Sequence, residues 1–245
     1  RGTPGHGSAP YGADNAVETI VAALHQIITT PSPAVISDQW IEFVDNLGLD
    51  HDLSGSLINI NRLDDAIDRV GERDPLLARY IHAATHLTVS ANFVRAGDKA
   101  NIIADRATAV LDIRSLPGMD RKFVDAYLEE AMGDVAHAVE IVPVSNDQAG
   151  LASTDNPLWA AIADGVEDVD GHRNIVPILA TVATDARFWR RHGTIALGVG
   201  LYDEATPFSD LVALFHGTDE RVSIETVMRT TNLYERILWR FSDTR

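Results

Sequence analysis

The sequence predicts an α/β protein in two parts. Residues 1–145 read as an α+β unit of order βαββαβ, the ferredoxin-like arrangement, and residues 146–245 as a βαβα continuation. Three observations carry this. Apolar residues recur at helical spacing within 14–28 and 120–132. Runs rich in β-branched residues stand at 86–94, 107–116 and 139–145. After "NDQAGLASTDNP" the character changes to strands alternating with helices.

The elements follow in order. If residues 1–6 end a strand, they open the first unit. In "DNAVETIVAALHQII" (14–28), Val17, Ile20, Val21, Leu24 and Ile27 form one stripe, and Asp14 is placed to cap the free N–H groups of the first turn. "TTPSP" breaks this helix. Residues 31–85 then form a largely helical excursion with turns at Gly48, Gly55 and Gly71. "HLTVSANFV" and "ATAVLDIRSL" read as two strands joined by "RAGDKANIIADR". "DRKFVDAYLEEAM" carries Phe123, Val124, Tyr127, Leu128 and Ala131 at helical spacing, and "VEIVPVS" is the last strand. This order packs as one antiparallel sheet with two helices on one face. In the second part, strand "NIVPIL" (174–179) leads to the helix "TDARFWRRHG", strand "TIALGVG" (194–200) follows, and a long helix runs from Ser223 to Phe241. Two strands cannot close a core by themselves, so a larger sheet is expected to lack its other half.

Composition narrows the function. The 20 basic and 36 acidic side chains leave a net charge of −16, which repels nucleic-acid phosphates and excludes that partner class. No stretch approaches the roughly 20 apolar residues of a membrane span, and a cytoplasmic protein without a membrane partner is expected. The absence of cysteine from the sequence removes thiol nucleophiles and thiolate zinc sites, so a metal would have to be held by His, Asp and Glu.

Four stretches combine polar groups with turn residues. His6 lies in "GHGS", where flanking glycines permit a close approach; it reads either as a ligand-facing group or as a turn histidine. Asn101 can donate and accept, and Arg114, at the end of "AVLDIR", presents a two-pronged donor to a carboxylate. Their ordinary reading is a turn asparagine and a surface arginine paired with Asp112 or Asp120. "ATDARFWRR" sets Thr184 and Asp185 at a helix start with Arg187 two residues on, either as plain capping or at the ligand-facing turn of an α/β sheet. His216 precedes Gly217 in "FHGTDERV"; neutral imidazole suits zinc, yet the other histidines show no metal-ligand spacing.

The four stretches together, "RGTPGHGSAPYGADNAV", "NIIADRATAVLDIRSLPG", "TDARFWRRHG" and "HGTDERVSIE", resemble the aminoacylase and zinc carboxypeptidase family, which includes acetylornithine deacetylase, succinyl-diaminopimelate desuccinylase, carboxypeptidase G and carnosinase. The resemblance implies a smaller lid domain, which dimerises the enzyme and matches residues 1–145, inserted into a two-metal catalytic domain whose C-terminal part matches 146–245. It implies that His6 stabilises the oxyanion in the partner subunit's site and that Asn101 and Arg114 bind the substrate carboxylate. Thr184, Arg187 and Gly217 would be further substrate contacts, and His216 a metal ligand. Two departures, Val182-Ala183 where the family often has Gly-Gly and "NIIA" for Asn-x-Ile-Pro, bear on the substrate subclass.

The resemblance also explains why the chain opens inside the loop "RGTPGHGSAP" without a methionine: it is expected to begin where the lid begins. The expected parent hydrolyses amide or peptide bonds of small N-acyl amino acids or peptides with a free carboxylate, using two zinc ions and working as a homodimer through the lid. The chain alone, without the family's other ligands and general base, is expected to be inactive and to hold no zinc tightly. The alternatives are a non-catalytic dimerisation module, or one half of a split enzyme.

Overall fold

A computed structural model describes residues 1–243. In chain order the elements are β1 (Gly5–His6), α1 (Ala16–Thr29), α2 (Asp38–Asn46), α3 (His51–Leu57), α4 (Leu63–Gly71), α5 (Pro75–Thr85), β2 (Thr88–Ala96), β3 (Ile102–Ile103), β4 (Ala107–Arg114), α6 (Arg121–Met132), a 3-10 turn (Gly133–Ala138), α7 (Pro157–Asp170), α8 (Ala186–Arg191), α9 (Phe208–Leu214) and α10 (Ile224–Asp243). The chain divides into two compact units. One holds residues 1–34 and 86–149, the other 35–85 and 150–245. The helical excursion, which the sequence reading set inside the first domain, therefore groups with the C-terminal residues.

In the first unit β2 and β4 pair antiparallel from Thr88↔Arg114 to Ala96↔Ala107, with an irregularity between Ala91 and Phe93. β1 and β3 form a second, short antiparallel ladder. Helix α1 begins at Asn15, not Asp14: the Asn15 side chain accepts from the Val17 N–H, while the Asp14 backbone carbonyl is taken by the Thr3 N–H. The buried face of α1 is Ala16, Ala23 and Ile27, whereas Val21 is exposed. Helix α1 packs against β2, β4 and α6. Helix α6 is capped by Asp120 and buries Tyr127, Leu128, Ala131 and Met132. The Tyr127 hydroxyl donates to the Thr30 carbonyl at 3.4 Å, tying α6 to the end of α1.

In the second unit α7 packs on α10. Ala161, Ile162, Val166, Leu233 and Ile237 form its core, with Ile175, Leu197, Val199 and Leu201 packed against them. A Cβ on Gly165 would lie 3.1 Å from both Leu233 Cδ1 and Ile237 Cγ1, so the glycine sets how closely the helices approach. Arg240 grips Asp168 with two bonds of 2.7 and 2.9 Å, which holds that carboxyl below its ordinary range. In the helical excursion Trp40 is fully buried, and its Nε1–H donates to the Leu57 carbonyl at 2.8 Å.

Three expected strands do not form. Residues 139–145, 174–179 and 194–200 carry no strand. A strand persists only where a neighbour takes its N–H and C=O groups. In the second unit the backbone at the end of 194–200 and just beyond it is bound by helix side chains instead. Thr230 Oγ1 accepts from the Leu201 N–H at 3.1 Å and donates to the Leu201 carbonyl at 3.0 Å. Thr226 Oγ1 accepts from the Asp203 N–H, and the Tyr234 hydroxyl donates to the Val199 carbonyl. Residues spaced four apart on α10 thus hold the backbone at 199–203, at and just past the end of the strand expected over 194–200.

Candidate functional site

His6 is placed by the two-residue β1–β3 ladder. It pairs with Ile102, Gly5 pairs with Ile103, and the Gly7 N–H donates to the Asn101 carbonyl at 2.8 Å. The glycines serve this close pairing: a Cβ on Gly7 would lie 3.1 Å from the Asn101 carbonyl carbon and oxygen. His6 and Asn101 thus become neighbours across the ladder, both exposed. The His6 Nδ1 lies 2.7 Å from the Ser8 hydroxyl and accepts from the Ser8 N–H at 3.2 Å. Ser8 has no assigned role in the sequence reading, and its only signal there is its place two residues after the histidine.

Arg114 stands elsewhere in the same unit. It ends the eight-residue β4, about 23 Å along the strand from Ala107. Asn101 lies in the connection at the opposite end, where a Cβ on Gly97 would come within 3.7 Å of Ala104. Asn101 and Arg114 thus stand at opposite ends of the β2–β4 hairpin. Arg114 instead forks Asp112, with Nε–Oδ1 at 2.6 Å and Nη2–Oδ2 at 2.8 Å. Residues two apart on a strand share a face, so this partner was one of the two the sequence allowed.

In the second unit Thr184 and Arg187 meet at the start of α8, where the Arg187 N–H donates to the Thr184 carbonyl at 3.2 Å. Asp185 occupies the N-cap position without a capping side-chain bond. The Arg187 guanidinium lies 4.6 Å from the Phe188 ring centre, a cation–π distance. His216 sits two residues beyond α9 with φ of 56°. It and Asp219 are the only non-glycine residues with positive φ among those described. A histidine held there stores backbone strain, which recurs at functional turns. Gly217 has a steric reason of its own: a Cβ would lie 2.5 Å from the Ala213 carbonyl oxygen.

Among the described residues no three His, Asp or Glu side chains gather as a metal site. His216 is exposed and without companion ligands, so the described residues do not fit a metal centre by themselves. An open cleft of about 690 Å³ lies along Asn156, Trp159, Arg173 and Ile175. None of the predicted site residues lines it, and Arg173 there is paired with Asp164. Concavity is a weaker guide here than the placement of His6 and His216. No helix among the described residues is long and apolar enough to cross a membrane.

The model of the peptidase dimerisation domain of the M20 family matches residues 1–140. The chain belongs to the M20 peptidase family. An M20 family metallo-carboxypeptidase from Sulfolobus solfataricus shares its fold, with a TM-score of 0.58 at 17% identity over 95% of this chain and 54% of that one. A probable carboxypeptidase S-like protein 2 of Dictyostelium discoideum is 24% identical over 96% of this chain and 44% of its own length. A second, carboxypeptidase S-like protein 1 from the same organism, is 23% identical over 66% of this chain and 33% of its own. The M20 chain described here thus spans less than half the length of the curated relatives it matches. The dimerisation match covers β1, α1, the excursion, β2–β4 and α6, and so includes His6, Asn101 and Arg114.

Proposed function

We propose that this chain supplies the substrate-binding and oxyanion-stabilising part of a metal-dependent hydrolase, which cleaves the amide or peptide bond of a small N-acyl amino acid or peptide with a free carboxylate. The observation that carries the reading is His6, whose backbone is pinned by the β1–β3 ladder next to Asn101 and whose side chain is exposed. A ring N–H held in this way can donate to the oxygen that gains charge when the carbonyl is attacked, a contribution of about 3–4 kcal/mol to the barrier. Asn101 adds an amide donor next to it. Arg114, on the far side of the unit, binds the substrate carboxylate. Thr184, Arg187 and Gly217 are assigned to further substrate contacts, and His216 to one ligand of a zinc pair. Its remaining ligands lie outside the described residues, so the chain by itself is assigned neither catalysis nor tight zinc binding.

In this reading the working form is a homodimer through the first unit, in keeping with the dimerisation match. Dimerisation would also account for the separation of Asn101 from Arg114: a two-fold axis lets one protomer's His6 and Asn101 serve a site that takes Arg114 from the other. The test is a mixed dimer of the complete enzyme, with His6→Ala in one subunit and His216→Ala in its partner. If His6 acts in the partner's site, mixing two inactive homodimers restores activity towards half per mixed dimer. No restoration after confirmed subunit exchange would refute it.

A further inference from the structure

We propose that Ser8 is a positioning residue for His6: it selects the neutral tautomer with the proton on Nε2 and so leaves that nitrogen as the donor. The inference rests on the reading of His6 as an oxyanion donor for its consequence, but not for its geometry. A backbone N–H only donates, so the Ser8 N–H at 3.2 Å from Nδ1 requires a lone pair there. The Ser8 hydroxyl, 2.7 Å from the same nitrogen, would be indifferent alone, since it donates or accepts. The N–H breaks the tie, and the hydroxyl donates as well. With Nδ1 accepting, the ring proton of the neutral imidazole lies on Nε2.

The backbone around this contact is fixed from several sides. His6 is in register with Ile102, the Gly7 N–H is bound to the Asn101 carbonyl, and the Ala9 N–H donates to the His6 carbonyl at 3.0 Å. The Ser8 N–H is therefore aimed by main-chain bonds on both sides of it, and the tautomer is set by the fold rather than by substrate. A donor prepared before the substrate arrives needs no rearrangement as charge develops.

The experiment is two-bond nitrogen–proton NMR of the histidine rings in the 245-residue chain, with His6→Gln used to assign the His6 signals. The expected spectrum shows His6 predominantly as the Nε2–H tautomer. Ser8→Pro, which removes the backbone N–H, should lower the ratio of Nε2–H to Nδ1–H by about fivefold, the worth of one neutral hydrogen bond, whereas Ser8→Ala, which keeps the N–H, should leave Nε2–H dominant. A dominant Nδ1–H form in the natural chain or in Ser8→Ala, or an unchanged ratio in Ser8→Pro, overturns the proposal. In the complete enzyme Ser8→Pro should lower kcat with little change in KM. If the tautomer pattern is as expected but His6→Ala leaves kcat intact, Ser8 still positions His6 and the oxyanion reading fails instead. The two failures are thereby separable.

Discussion

Replacing Arg114 by lysine in the complete enzyme separates a binding role from a structural one. The guanidinium meets Asp112 through Nε at 2.6 Å and Nη2 at 2.8 Å. The two side chains are 47% and 40% exposed, and a pair so open to solvent is worth no more than about 1 kcal/mol of stability. Lysine keeps the positive charge, so folding should change by less than about 1 kcal/mol. Binding is a different matter. Asp112 uses the Nε–Nη2 side of the guanidinium, which leaves the Nη1–Nη2 end for a second carboxylate. Lysine offers a point charge and no such fork. Losing a hydrogen bond to a charged group costs about 1.5–3 kcal/mol, or about 10- to 150-fold in KM. The assay compares KM for a substrate with a free carboxylate and for its amide, with urea unfolding of both proteins in parallel. A KM within twofold of the natural enzyme, or equal losses on acid and amide, would refute the carboxylate role. A large shift in the unfolding midpoint would make the pair structural.

Two further outcomes are expected. Trp40→Phe removes the Nε1–H that donates to the Leu57 carbonyl and leaves that carbonyl buried, so urea unfolding should show a loss of about 2–4 kcal/mol; a loss under about 0.5 kcal/mol would show that the bond is replaced on relaxation. Burial pushes the Tyr80 hydroxyl up to about 12, above its ordinary value near 10. The stability this contributes is complete below pH 10 and is lost as pH rises through 12, so Tyr80→Phe should flatten the decline in that window, and parallel declines would contradict the assignment.

Helices were the readable part of the fold, because their signal is local. Asp120 caps α6 as an acidic residue before an apolar stripe should, and α10 runs over nearly the expected span. Periodicity names a face but not which edge of it is covered: Val21 and Phe123 belong to the expected stripes and are exposed, while Ala23 and Met132 are buried. The missing strands show the opposite limit. Residues 194–200 have strand composition, yet composition supplies no partner, and Thr230 and Tyr234 bind the adjoining backbone instead.

The site divides in the same way. Ser8 beside His6, Asp112 beside Arg114 and Thr184 beside Arg187 are contacts within three residues, and the chain by itself determines them once the local backbone is set. The four motifs in their order likewise determined the family. The backbone adjacency of His6 and Asn101, the placement of Asn101 and Arg114 at opposite ends of the β2–β4 hairpin, and the positive φ of His216 are decisions of the tertiary structure. The reason is physical. Side-chain bonds within a turn or along one strand depend on residue type and spacing, which a sequence displays. A ladder between residue 6 and residue 102 depends on which distant backbone groups remain unpaired after the helices have packed.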